Sequence, residues 1–536
     1  MTIRKRLEWK TLLTYVHRWM GILAGVFFVV WFVSGIAMMY VRLPVLSVDE
    51  RLGHVPPLDL STARVSPAEA AKAHALTADD LRIEMYYDSR PIYRFGRVKV
   101  YADTGERVPQ VSQAQALEMI RRWVPPAYAG TVAYDTYLLD SDLWTLYREQ
   151  RSTMPVHRIT VGDPARTVYY VSETMGEPVM KTDWLSRSLG FISGVLHFIY
   201  IPAFRRQDAL WRWVVAWGSI AGAVMSLLGL VVGIVRLRIK QRQPRSGTSY
   251  SPYSGWMKWH HYAGLIVGVF SITWAFSGAM SLGRPFPSMR NQPPTTAQQM
   301  AIPGTPLDMD ALTMPRLRTA LGVFQESFAP KVLQVHQFRG EPYLIASAPP
   351  APWSYDKEIG AQERRYQPAA PHRIVSAVAP ERGAFARFED ERMWEVAKAA
   401  MPEAPAQDAE WLQDYDSYYY DRNRALPLPV LRVRYSDAAR TWLYLDPSLG
   451  TMTKQDSGGR WNRWLYHGLH SLDFPWFRFQ RPLWDVVVIL LSIGGTVLSA
   501  TTLVPAWRRL ARHARQAKLA RDRPREGHVS VSRTES

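Results

Sequence analysis

The sequence predicts an α-helical membrane protein whose four transmembrane helices form two parallel pseudo-repeats, with two extracytoplasmic α+β domains between them. Three observations lead there: four long apolar runs, the arginines and lysines that flank them, and a duplication of the whole pattern. The 536 residues are 47% hydrophobic and 21% charged, an average that hides strong segregation. Trp19–Val41, Leu210–Val235, Tyr262–Leu282 and Leu483–Val504 are almost free of charge. Each supplies the ~20 residues that a helix, rising about 1.5 Å per residue, needs to cross a ~30 Å hydrocarbon core.

The first run follows Arg4, Lys5, Arg6 and Lys10, as a signal peptide would. It is too long for a signal core and passes through Met38, Met39 and Tyr40 into Arg42 without a small-residue cleavage site, so it reads as an anchor. Basic residues crowd the N-terminal segment, the loop Arg236–Arg245 and the tail Arg508–Arg525. Short Lys/Arg-rich segments stay in the cytoplasm, which puts both termini inside and the two long stretches outside. The resulting partition is 1–41 (N-terminus and first span), 42–183 (first outer domain), 184–235 (interfacial helix and second span) and 236–257 (basic loop). It continues with 258–283 (third span), 284–459 (second outer domain), 460–505 (interfacial helix and fourth span) and 506–536 (basic tail). The net charge of +18 then reflects topology and contact with anionic membrane lipid. No nucleic-acid-binding motif accompanies it, so no nucleic-acid partner is expected.

Cysteine is absent. That excludes disulfides, iron–sulfur clusters, thiolate zinc sites and covalently attached haem. Any cofactor has to be held by other side chains, and histidine is the candidate.

An internal repeat selects which histidines. Tyr15–Met38 aligns without gaps on Lys258–Ser281, placing His17 on His260, Gly21 on Gly264, Gly25 on Gly268, Trp31 on Trp274 and Ser34-Gly35 on Ser277-Gly278. Toward the end of each half, Leu196-His197 falls on Leu469-His470, Leu210-Trp211 on Leu483-Trp484, Gly222 on Gly495 and Ser226 on Ser499. In the outer stretches Tyr134-Asp135-Thr136-Tyr137 resembles Tyr415-Asp416-Ser417-Tyr418, and Asp163-x-Ala165-Arg166-Thr167 resembles Asp437-x-Ala439-Arg440-Thr441. His17/His260 and His197/His470 are the equivalent pairs, whereas His54, His74, His157, His336 and His372 have no repeat partner.

His17 and His260 each begin a spanning helix, with glycines four and eight residues on: Gly21/Gly25 and Gly264/Gly268. Those positions share the histidine's face and leave it bare, as a flat macrocycle requires. A small-residue helix-packing motif explains the glycines equally well, but not a histidine on that face in both copies. His197 and His470 lie in amphipathic segments before the second and fourth spans, read as interfacial helices at the outer surface. Two histidines facing each other make an axial pair for one iron, and two protein ligands are too few for tetrahedral zinc. Two b-type haems, one per pair, are therefore expected. His261 adjoins His260 but points about 100° away. His467 precedes His470 by one turn and faces Gly194 in the repeat; both stay open as additional ligands.

In the outer stretches Ser66–Leu76 and Ser112–Val124 carry helical patterning, with Ser-Pro opening the first. Arg97–Val108, Thr167–Val179 and Thr441–Thr453 read as strand, turn and returning strand. Helix followed by hairpin suggests small α+β modules, one or two per stretch.

These hairpins resemble the PepSY module. Together with the H-R-W-x-G-x-x-x-G opening at His17, the later Leu-His and the duplicated architecture, residues 10 to 510 resemble the PepSY-associated transmembrane-helix family, which includes ferrisiderophore reductases of bacterial inner membranes. The resemblance implies haem b held by His17, His260, His197 and His470, and electron delivery to a ferric siderophore or other ferric chelate in the periplasm. It implies a haem-dependent ferric-chelate reductase, with no catalytic side chain assigned. The Pro-rich insertion Pro349–Pro371, His261 and His467 depart from the simplest members. No Gly-rich dinucleotide fingerprint follows a strand, so the donor is external, a quinol or a reductase protein. Tyr134, Asp135, Tyr137, Tyr415, Asp416 and Tyr418 are the candidate substrate-facing groups, with ordinary strand residues as the alternative. Two other functions stay open: a non-catalytic PepSY protein that binds or regulates a periplasmic partner, and a component of haem or siderophore transport.

Overall fold

A computed structural model describes residues 9–41, 43–78, 80–146, 148–237, 250–282, 286–349, 371–421 and 426–521. Arg4, Lys5 and Arg6, most of the basic loop after Arg236, nearly all of the Pro-rich insertion and the end of the tail lie outside them. Along the chain, helix α1 (Trp9–Met38) is followed by α2 (Pro67–His74), β1 (Leu81–Met85), β2 (Pro91–Phe95) and β3 (Val98–Tyr101). Then come α3 (Gln113–Trp123), β4 (Ala133–Leu138), β5 (Val156–Thr160), β6 (Val168–Ser172) and β7 (Glu177–Thr182). Two apolar helices, α4 (Asp208–Arg236) and α5 (Gly255–Ser281), occupy the middle of the chain. The second half continues with α6 (Met314–Gln325), β8 (Val332–Phe338), β9 (Glu341–Ser347), β10 (His372–Ser376) and α7 (Asp390–Ala400). It ends with β11 (Ala406–Leu412), β12 (Val430–Tyr435), β13 (Trp442–Asp446), β14 (Thr451–Gln455) and α8 (Leu483–Arg521).

The chain divides into two compact units, one drawn from Met1–Ile36, Trp217–Ala279 and Arg481–Ser536, the other from Ala37–Ala216 and Met280–Gln480. The first holds most of α1, α4, α5 and α8, four helices long and apolar enough to cross a membrane. Each begins at or before its hydrophobic run, and α8 continues through Pro505 to Arg521. The extension follows from composition, since the Ala, Arg, Leu and Lys residues after Pro505 are strong helix formers whether or not lipid surrounds them. Leu23, Val26, Ile266 and Leu490 are exposed apolar side chains, as lipid-facing positions require. Inside, Phe28, Phe32, Ala223, Met225 and Ala275 pack with Trp31 and Trp274. A Cβ on Gly222 would fall 3.0 Å from Phe28, and one on Gly495 2.4 Å from Phe32, so both glycines let the helices approach.

Among its described residues the second unit contains four helix-and-strand modules built on three antiparallel sheets. Ser66 caps α2 and Ser112 caps α3, each through a reciprocal capping box with Glu69 or Gln115, and both helices fall where the patterning puts them. The three expected strand–turn–strand runs are antiparallel hairpins or, at Val100 and Arg107, a bridge. β4-β5-β6-β7 and β11-β12-β13-β14 are four-stranded antiparallel sheets.

The two outer stretches do not fold as separate bodies. They share one six-stranded sheet, β10-β9-β8-β1-β2-β3, closed by the antiparallel pairing of β1 with β8. Leu81 and Ile83 of the first stretch and Leu321, Phe324 and Leu333 of the second are fully or nearly buried in one core. Pairing two strands that would each be an open edge satisfies their N–H and C=O groups and doubles the apolar face the helices cover.

His54 and Trp123 stack at 4.3 Å where the first module meets the second. Burial, then the charges of Lys181 and Lys331, push the His54 imidazole down to about 4 from its ordinary 6.5. The folded unit thus favours the neutral ring, and this contribution is complete above pH 6.5 and lost as pH falls through 4, up to about 3 kcal/mol. His54→Phe keeps a stacking ring without a titrating nitrogen. Thermal unfolding from pH 7 to pH 4 should therefore lower the Tm of the wild type more than that of the variant; equal losses would exclude His54 as the cause.

Candidate functional site

The aligned histidines stand ring to ring in two pairs, each within one unit. In the helical unit the His17 and His260 rings are 6.2 Å apart and inclined by 29°. His17 Nδ1 lies 3.0 Å from the carbonyl oxygen of Met225 on α4, and His260 Nδ1 lies 3.1 Å from that of Leu498 on α8. A carbonyl only accepts, so each Nδ1 carries the proton and donates it, leaving Nε2 with its lone pair. Metal-binding histidines are held in that tautomer by such a bond.

The separation can be tested against coordination geometry. A ring nitrogen lies ~1.2 Å from its imidazole centroid and about 2 Å from a first-row metal, so two imidazoles on opposite faces of one iron have centroids ~6.4 Å apart. The His17–His260 spacing of 6.2 Å and the His197–His470 spacing of 6.1 Å both lie within about 0.3 Å of that value. The residues present fit haem.

The glycines divide by role. A Cβ on Gly21 would meet only Met225 Sδ, at 4.0 Å, and one on Gly264 only Leu498, at 3.6 Å, so these positions border open space beside the histidines. Gly25 and Gly268 pack closer, with Thr502 Oγ1 at 3.2 Å and Leu230 at 3.5 Å from the added atom, and serve helix contact. Gly229 is more exacting, because its Cβ would fall 2.5 Å from His17 Cε1. Repeat comparison passes over Gly229, since its counterpart is Thr502.

In the strand-bearing unit His197 and His470 sit on matching irregular helices. Phe191–Val195 and Arg463–Gly468 are π-helical turns, in which Leu196 N–H reaches Phe191 O and Leu469 N–H reaches Trp464 O. Such turns occur preferentially where a helix must re-aim a side chain. Each segment ends in a left-handed residue, Ile199 or Leu472, and resumes at Pro202 or Pro475. The two rings are inclined by 78°. Tyr466 lies 5.5 Å from His470 and 4.4 Å from His467.

Both nitrogens of His261 are engaged, Nδ1 with Ser251 Oγ and Nε2 with Gly233 O, each at 2.8 Å, so this ring fastens α5 to α4. Among the histidines without repeat partners, His74, His157, His336 and His372 each bond a backbone carbonyl through Nε2.

The Tyr–Asp groups are engaged by neighbouring groups, although Asp135 and Tyr137 are exposed on β4. Tyr134 donates to His157 Nδ1 at 3.3 Å, Arg158 donates to Asp135 at 2.5 Å, and Tyr137 donates to Glu173. Tyr415 donates to Leu426 O at 2.7 Å, and the Tyr418 hydroxyl accepts from Trp464 Nε1 at 3.1 Å. Asp416 accepts from the Tyr418 and Tyr419 amides, from Arg432 at 3.0 Å and from Tyr444 at 2.8 Å. Asp142 accepts the same set, from the Trp144 and Thr145 amides, from Arg158 at 3.4 Å and from Tyr170 at 2.8 Å. The counterpart of Asp416 is thus Asp142, and the alignment with Asp135 is corrected. The letters match locally, but Tyr134–Tyr137 lies on β4 while Tyr415–Tyr418 lies in the loop after β11.

The family model of the PepSY-associated TM region matches residues 14–509, a span that includes both histidine pairs. No curated protein matches the chain.

Helix propensity alone favours alanine over glycine by ~0.5–1 kcal/mol, but overpacking costs about 1–3 kcal/mol. Gly229→Ala and Gly495→Ala should therefore lower the Tm of the purified protein, whereas Gly21→Ala should hold or raise it. A neutral Gly229→Ala would mean that His17 is free to move.

Proposed function

The chain belongs to the PepSY-associated TM region family, and we propose that it carries electrons across the bacterial inner membrane through two b-type haems to a ferric siderophore or other ferric chelate outside. His17 and His260 hold one haem, and His197 and His470 hold the other. The supporting observation is the pair of ring separations, 6.2 and 6.1 Å, which suits one iron between each pair. When bound, such a haem would supply a one-electron Fe³⁺/Fe²⁺ couple, suited to electron transfer in place of oxygen chemistry.

The chain's own groups do the rest. The Nδ1–H bonds to Met225 O and Leu498 O keep both Nε2 lone pairs available and raise their basicity. Gly21 and Gly264 keep the adjoining face clear, and Phe28, Phe32, Trp31 and Trp274 fill the interior beyond it and exclude water. On the positive-inside reading, both termini and the His17–His260 pair belong to the cytoplasmic side, while the sheets and the His197–His470 pair belong to the periplasmic side. The donor is a quinol or a reductase protein. Tyr466 and His467, which adjoin His470, and the exposed Asp135 and Tyr137 are the groups offered for docking of the chelate.

The test is a reduced-minus-oxidised spectrum with a pyridine haemochrome assay. Two b-type haems per chain are expected, falling to about one in His17→Ala and in His470→Ala. A colourless protein after expression with ample haem would overturn the reading.

A further inference from the structure

Near His17, three hydrogen-bond donors have no acceptor among the described residues. The Nε atoms of Arg18 and Arg509 and the indole Nε1 of Trp19 are all shut off from the surface. They stand at one level. Gly25 on α1 lies against Thr502 and Leu503 on α8, while Trp19 lies 6.0 Å from His513, so the two helices run antiparallel. Stepping back from Gly25 to Trp19 covers about 9 Å, as does stepping on from Leu503 to Arg509. Arg509 also shares the face of His513, one turn away. The Arg18 guanidinium is seated over the Tyr15 ring at 5.3 Å.

Among the described residues of this unit no acidic side chain compensates them. Its described residues include one acidic side chain, Asp485, which pairs with Arg481 at the far end of α8. Arg18 and Arg509 are half-buried, a guanidinium Nε–H shut off from water without an acceptor is costly, and the forked donors match the paired oxygens of carboxylate and phosphate. We propose that Arg18, Trp19 and Arg509 form an oxyanion clamp beside His17. Two sources offer that chemistry: a propionate of the haem held by His17 and His260, which rests on the function proposed above, and the headgroup phosphate of an anionic lipid. The clamp is one-sided. In the repeat Arg18 falls on His261, whose two nitrogens are already bound to Ser251 and Gly233.

The experiment uses full-length protein in detergent, carrying His197→Ala so that only the inner pair is read, and purified without haem. It is titrated with haem and with haem dimethyl ester, whose propionates are blocked, and bound phospholipid phosphorus is measured. The same is done for Arg18→Gln/Arg509→Gln, and for Trp19→Phe, which removes one donor and keeps the ring. If a propionate is the anion, the parent binds the ester about tenfold more weakly than haem and the double variant binds both alike, with Trp19→Phe in between. If a lipid phosphate is the anion, haem and ester bind alike and the double variant loses bound phosphorus. The clamp is overturned if the variants match the parent in both readouts while haem still binds. Failure of the parent to bind haem at all strikes the haem reading instead, and the phosphorus measurement then decides the clamp alone.

Discussion

His17 and His260 each depend on one bond, from Nδ1–H to a backbone carbonyl of the neighbouring helix. His17 makes it to Met225 on α4, and His260 makes it to Leu498 on α8. Because a carbonyl cannot donate, the bond decides the tautomer and leaves each Nε2 with its lone pair. Much of the helical packing serves that geometry. Gly229 has to be bare for the His17 ring to lie against α4, and Gly222 and Gly495 bring in Phe28 and Phe32. The bond also joins α1 to α4 and α5 to α8, so the four helices and the two rings are held by the same contacts.

The strand-bearing unit reaches a matched arrangement by other means. Asp142 and Asp416 each gather two backbone amides, one arginine and one tyrosine, tying a loop to two strands of its sheet. Asp163 and Asp437 each hold the N–H and the hydroxyl of the threonine four residues on, and the intervening Arg166 and Arg440 are both left-handed. After each four-stranded sheet, a capping aspartate, Asp183 or Asp456, opens the helical segment that carries His197 or His470. Without cysteine, these polar hubs and the shared six-stranded sheet do the fastening that disulfides do in many extracellular domains.

What the sequence made legible depended on how local the signal was. The four spans stood out as uncharged runs, and α2 and α3 as capped amphipathic segments. Histidine pairing was legible because the repeat retained four of them, and the structure sets those four ring to ring. The joining of β1 to β8 was not, because Arg82 and Gln334 are far apart in the chain and no residue type marks the pairing. Gly229 escaped because only His17 needs a bare counterpart, while Thr502 stands in the other half. The Tyr–Asp motifs misled because four similar letters in a row outweighed the true equivalence of Asp142 and Asp416, which share bonding partners but not sequence context. Helix ends past the hydrophobic runs were missed because residues such as Ala, Arg and Lys extend a helix beyond any lipid boundary.

The central claim is that two irons sit between two pairs of imidazoles, and the two pairs differ in the angle between their rings. His17 and His260 are inclined by 29°, whereas His197 and His470 are inclined by 78°. Near-parallel axial imidazoles give low-spin ferric haem a rhombic electron paramagnetic resonance spectrum, and near-perpendicular ones give a strongly anisotropic signal with a single large g value. The most direct measurement is the low-temperature spectrum of the oxidised, purified protein. The account predicts one signal of each kind, with the rhombic one absent from His17→Ala and the anisotropic one absent from His470→Ala. A single signal unaffected by either substitution, or no low-spin haem at all, would contradict it.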